Sequence, residues 1–99
     1  MTITRMHDNG KISLAVEGRL DTTTAPQLEE EITSAFKESK DVELDFSLLV
    51  YVSSAGLRVL LIGMKTAKSK DAAFSLANVS EEIMEVLEMT GFSDMLTIV

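Results

Sequence analysis

"VELDFSLLVYVSSAGLRVLL" occupies residues 42–61, and the period of its apolar positions changes part-way along. Val42, Leu44 and Phe46 alternate with polar neighbours, the two-residue period of a strand with one buried face. From residue 54 onward, Leu57, Val59, Leu60, Leu61, Ile62, Met64 and Ala67 run nearly all the way round a helix, the pattern of a mostly buried one. The stretch therefore predicts a strand over 41–47, a connection through "SLLVYV" and a helix over 54–68. Ser54 stands at the junction as the expected N-cap, worth about 1 kcal/mol. Lys65, Lys68 and Lys70 suit the negative end of the helix dipole.

Upstream, "GRLDTTTAPQLEEEITSAFKES" predicts a helix over 24–38. Leu28, Ile32 and Phe36 repeat at i, i+4 and i+8, so one face is apolar. Thr24 and Gln27 have the spacing of a capping box. Pro26 falls in the first turn, where its missing N–H costs nothing. Glu29, Glu30 and Glu31 are expected near the positive end of the dipole. Before them, Asn9-Gly10 separates two alternating runs. Both residues tolerate the positive φ of a type I′ turn, so a hairpin with strands over 2–7 and 11–17 is predicted.

Downstream, "AAFSLAN" over 72–78 reads as a short buried strand. Ser80 caps a third helix with Glu81 and Glu82 in its first turn. Ile83, Val86 and Leu87 face inward, and Gly91 stops it. "MLTIV" over 95–99 is the expected last strand. The order β-β-α-β-α-β-α-β predicts an α/β fold: an N-terminal hairpin, then a mixed, mostly parallel sheet with helices packed against it and right-handed crossovers.

The chain has 99 residues and is expected to form one domain over 1–99. Hydrophobic residues make up 45% of it, too many for a disordered chain. There is no cysteine, which removes disulfides, thiolate metal sites and a cysteine nucleophile and suits a reducing cytoplasm. "MTITRMHDNG" has no apolar core of a signal peptide. Val59–Met64, the longest apolar run, is broken by Gly63 and is too short to span a bilayer. The net charge of −7 repels phosphate backbones, so no direct contact with nucleic acid is expected.

Ser53 and Ser54 are the first candidates for chemistry. A serine nucleophile needs a base, and the one histidine, His7, stands beside the hairpin turn. The Gly-x-Ser-x-Gly surround of a nucleophile elbow is also missing. The chain is therefore read as a non-enzyme with no catalytic residue. Met64, Met84, Met89 and Met95 are read as packing fillers rather than a soft-metal box. Glu29–Glu31 point in different directions from a helix and make no metal site. No cofactor and no metal are expected. What remains is an exposed hydroxyl at a helix entrance, where a phosphate is well accommodated.

"GRLDTTTAPQLEEEI" (18–32), "ELDFSLLVYVSSAGLRVLL" (43–61) and the spacing between them resemble the STAS domain of bacterial anti-sigma factor antagonists. In that family a Gly-x-Leu-Asp loop and an Asp-Ser-(Ser/Thr)-Gly-Leu-Gly loop lie side by side. The serine two before the glycine is phosphorylated by an anti-sigma factor that is itself a GHKL-type serine kinase. The unphosphorylated antagonist binds that kinase and frees a sigma factor, and phosphorylation releases it. Matched onto this chain, the glycine is Gly56, the acceptor is Ser54, Leu57 is the leucine, and Gly18, Leu20 and Asp21 form the first loop. Ala55 takes the serine or threonine place.

The resemblance implies a partner-binding face of Gly18, Leu20, Asp21, Thr22, Ser53, Ser54, Gly56 and Arg58. It comprises the 18–24 loop, the 50–54 loop and the first turn of the second helix. It also implies a serine phosphatase acting on phospho-Ser54, a cytoplasmic location, no membrane, and indirect control of transcription. Asp21 is either a functional acid of that face or the start of an Asx turn.

Two positions depart from the pattern. Ser53 stands where the family usually has aspartate, which makes it an alternative acceptor. Arg58 stands where a second glycine is frequent. An arginine four residues after Ser54 either pairs with its phosphate or is exposed without a partner. The lost aspartate supports a second reading, a STAS module that is never phosphorylated and serves as a structural subunit of a larger complex such as a lipid-transport assembly.

Overall fold

The computed structural model describes residues 1–99. It contains β1 (Thr2–Asp8), β2 (Lys11–Leu20), α1 (Ala25–Glu38), β3 (Asp41–Asp45), β4 (Leu49–Val52), α2 (Ser54–Lys70), β5 (Ala73–Ala77), α3 (Glu81–Met89) and β6 (Thr97–Ile98), with a 3₁₀ turn at Phe92–Asp94 before the last strand. The sheet order is β1-β2-β3-β5-β6, antiparallel in the hairpin and parallel elsewhere. This is the expected mixed, mostly parallel α/β fold.

The local expectations rest on identifiable contacts. Asn9 and Gly10 both take positive φ, 52° and 84°, and the hairpin register runs from Asp8↔Lys11 to Thr2↔Glu17. Ile12, Leu14 and Val16 of β2 and Val42 and Leu44 of β3 point into one core with Leu28, Ile32 and Phe36 of α1. α2 closes the core with Leu57 and Leu60, while Leu61, Ile62 and Met64 are half-buried at its margin. Gly63 permits that packing: a β-carbon there would stand 2.7 Å from Cζ of Phe74. Ser80 caps α3 by accepting from the Ile83 N–H at 3.2 Å, and Gly91, at φ 80°, follows its end.

Several expectations are corrected. "SLLVYV" is not a plain connection: it contains β4, a strand parallel to the far end of β2. β3 accordingly stops at Asp45. The Thr24 capping box does not form. Its hydroxyl donates to the Arg19 carbonyl at 2.7 Å and accepts from the Asp21 N–H at 2.9 Å, and α1 starts without a side-chain cap. Because α1 begins at Ala25, Glu29–Glu31 lie beyond its first turn. The cap of α2 is Ser53, whose hydroxyl accepts from the Gly56 N–H at 3.4 Å, so Ser54 is the first helical residue. "MLTIV" yields only the two-residue β6, since Met95 ends the 3₁₀ turn.

Candidate functional site

β2 is longer than the strands it pairs with, and the site lies where it overshoots β3. β3 pairs with Ile12–Ala15 of β2, and β4 takes over at its far end with Gly18↔Leu49, Arg19↔Tyr51 and Leu20↔Val52. The register shifts between Gly18 and Arg19, as at a β-bulge. Gly18 has φ +109°, a conformation that side chains rarely adopt, and its N–H donates to the Leu48 carbonyl at 3.1 Å. Two backbone segments distant in sequence, the end of β2 and the entrance of α2, are thus fastened side by side.

The fastening continues in the side chains. Gly56 faces Leu20 and Val52 so closely that a β-carbon would stand 2.7 Å from Leu20 Cγ and 2.8 Å from Val52 Cγ2. Leu20 and Gly56 are buried and form the floor of the site. Thr22, Ser54 and Arg58 are exposed above it; Gly18, Asp21 and Ser53 are half-buried. The 18–24 loop, the 50–54 segment and the first turn of α2 are therefore one continuous surface.

Asp21 begins an Asx turn. Its Oδ1 accepts from the Thr23 hydroxyl at 2.7 Å and from the Thr23 and Thr24 N–H groups at 3.0 and 3.2 Å. The Thr23 hydroxyl bond, the largest effect, together with the Thr24 and Thr23 N–H bonds holds the carboxyl below its ordinary range against the opposing effect of burial. Asp21 is thus a fixed negative charge at the mouth of the site. Arg19 Nε lies 3.9 Å from Asp21 Oδ2, and the guanidinium stacks over the Tyr51 ring at 4.1 Å from its centroid.

Sequence reasoning did not single out Arg19 or Leu48. Leu48, just before β4, and Val50 within it are 57% and 69% exposed, so this strand carries apolar side chains on its outer side. The signal was present: "SLLVYV" is apolar without alternating, which a one-faced strand would not be.

The one histidine is remote from the two serines. His7 pairs with Ile12 at the start of β2, roughly 26 Å of extended strand from Leu20. No cluster of three or more His, Asp or Glu side chains is arranged to hold a metal ion, and no helix is long and apolar enough to cross a membrane.

The STAS domain family model matches residues 3–99. The chain belongs to the STAS domain family. This STAS domain is 32% identical to BtrV of Bordetella bronchiseptica, named as an anti-sigma factor antagonist, over 93% of this chain and 80% of that protein. It is 26% identical to the anti-sigma-B factor antagonist of Bacillus subtilis, over 88% of this chain and 80% of that protein. Among solved structures it superposes on the anti-sigma factor antagonist SpoIIAA of Bacillus in its unphosphorylated form, with a TM-score of 0.78 at 18% identity, covering 99% of this chain and 87% of that one. The phosphorylated form of SpoIIAA matches with a TM-score of 0.76, also at 18% identity, over 99% and 91%. At that identity the likeness concerns the fold.

Proposed function

We propose that this STAS domain is an anti-sigma factor antagonist whose binding face is switched by phosphate on Ser54. It acts by binding rather than by catalysis, in the cytoplasm. Unphosphorylated, the face around Asp21, Thr22, Ser53 and Ser54 docks on an anti-sigma factor serine kinase of the GHKL type, and a sigma factor is released. A serine phosphatase resets phospho-Ser54. The observation that carries this reading is the division of labour between the two serines. Ser53 is half-buried and engaged as the helix cap, its N–H bonded to the carbonyl of Leu20 just before Asp21, while Ser54 is exposed in the first turn.

The chemistry of the switch is electrostatic. A phosphate adds about −1.5 to −2 charge at pH 7. At the first turn of α2 the helix dipole accepts it, so folding is spared. On a docking face, the same dianion has to be desolvated beside Asp21. Leaving a charge buried and unpaired costs several kcal/mol, and each 1.4 kcal/mol is tenfold in affinity.

Intact-mass analysis of the protein purified from its native host tests the proposal. One added phosphate, absent from Ser54→Ala and retained in Ser53→Ala, is the expected result. Capture of a GHKL-type kinase by the unphosphorylated form and not by the phosphorylated form completes it. No phosphate under any growth condition, with capture of membrane-complex subunits instead, replaces it with the structural-subunit reading.

A further inference from the structure

Ser54 and Arg58 stand one turn apart on α2, and both are exposed. Residues four apart on a helix are neighbours, with Cβ atoms about 5–6 Å from each other. Helical side chains lean toward the N-terminus, so residue 58 leans toward residue 54.

Arg58 is uncommitted. The ion pairs of the chain use Arg5, Lys11 and Arg19, and Arg58 makes neither an ion pair nor a hydrogen bond. It borders a groove between α1 and α2 with Thr22, Ala55 and Glu29, and Glu29 is the only carboxylate there. Arg19, the other cation near the site, is already stacked on Tyr51 beside Asp21.

We propose that Arg58 is the counter-ion of phosphorylated Ser54. Its guanidinium donates two N–H groups to the phosphate oxygens across one helical turn, a geometry suited to arginine's planar fork. The pairing favours the dianion over the monoanion. It also withdraws from the docking surface a cation that the unmodified protein leaves free for a partner. Phosphorylation then changes the face twice, by adding negative charge and by capturing the positive charge beside it. This rests on the reading of Ser54 as the acceptor.

The test uses full-length protein with phosphoserine incorporated at position 54 during translation, so that no kinase is needed. The second ionisation of the phosphate is followed by ³¹P NMR in wild type, Arg58→Gln and Arg19→Gln. Asp21 and Glu29 border this surface in all three proteins and drop out of the comparison. An exposed charge pair in the usual range corresponds to a phosphate pKa lower by about 0.15–0.7 unit in wild type than in Arg58→Gln, a difference that shrinks in 1 M salt. Arg19→Gln is expected to match wild type. Identical titration in wild type and Arg58→Gln overturns the pairing, as does a shift carried by Arg19 alone. Because the phosphate is encoded, that failure is separate from the absence of phosphate in host protein, which overturns the acceptor assignment instead.

Discussion

The backbone N–H of Ser53 donates to the Leu20 carbonyl at 2.9 Å. That bond ties the residue before α2 to the last residue of β2, and the exposed loops on either side inherit their relative position from it. The site is a pair of backbone segments locked together beneath, with charged and hydroxyl groups carried on top.

Gly56 is the packing counterpart of that bond. Alanine is the better helix former by about 1 kcal/mol, yet a methyl group at 56 meets fully buried Leu20 at 2.7 Å. Overpacking of this kind costs about 1–3 kcal/mol. Gly56→Ala is therefore expected to lower stability in urea melts. A midpoint raised by the full propensity gain of about 1 kcal/mol would mean that the two segments are not in contact.

The two serines are expected to behave oppositely. Ser53→Ala removes the cap of α2, and its long 3.4 Å bond places the loss at the low end of the usual range, about 0.5–1 kcal/mol. Ser53→Asp restores the acceptor and suits the dipole, so it recovers that loss. Chemical denaturation of the three proteins measures the series.

Ser54→Asp places a negative charge in the first turn of α2 without removing a cap. Its stability is expected within about 0.5 kcal/mol of wild type, or up to about 1 kcal/mol higher. Partner capture is nevertheless expected to fall at least tenfold. Calorimetric melting beside a pull-down separates the two, and a destabilised Ser54→Asp protein would attribute the lost capture to unfolding.

Asp45 gives the acid dependence. Asn78 Nδ2 and the Ser47 N–H each donate to its Oδ1 at 3.0 Å, fastening the end of β3 to the turn after β5. The Asn78 bond, supported by Ser47, holds the carboxyl below its ordinary range against the opposing effect of burial. A carboxyl lowered on folding stabilises the protein above its unfolded value, about 3.9, and that stability is lost as pH falls through the lower folded value. Asn78→Gly keeps the left-handed backbone, φ 56°, while removing the side chain. Melting temperatures of the variant are expected to decline less steeply below about pH 4 than those of wild type.

Much of this fold was legible in the chain because the elements that were read correctly are local. The hairpin needs only Asn9-Gly10 between alternating runs, and the three helices need only apolar positions at helical spacing. The loop of Ser53, Ser54 and Gly56 could be singled out by its resemblance to the family pattern because these residues are neighbours in sequence. β4 was not. Its buried positions are Leu49 and Val52, with Val50 and Tyr51 both exposed between them, so it carries no two-residue period. It is a strand because β2 outruns β3 and bulges at Gly18, offering free backbone groups to whatever lies alongside.

The side-chain partners depended on the tertiary structure in the same way. Thr24 has the spacing to cap α1 with Gln27, but the Arg19 carbonyl and the Asp21 N–H occupy its hydroxyl instead. The stacking of Arg19 on Tyr51 joins positions that only the β2–β4 pairing brings together. The sequence by itself determined which segments become helices and the hairpin, through periodicity and turn chemistry acting over a few residues. The tertiary structure alone decided which hydroxyl caps, which stays free and which charges meet, because those outcomes are competitions among groups that only folding makes neighbours.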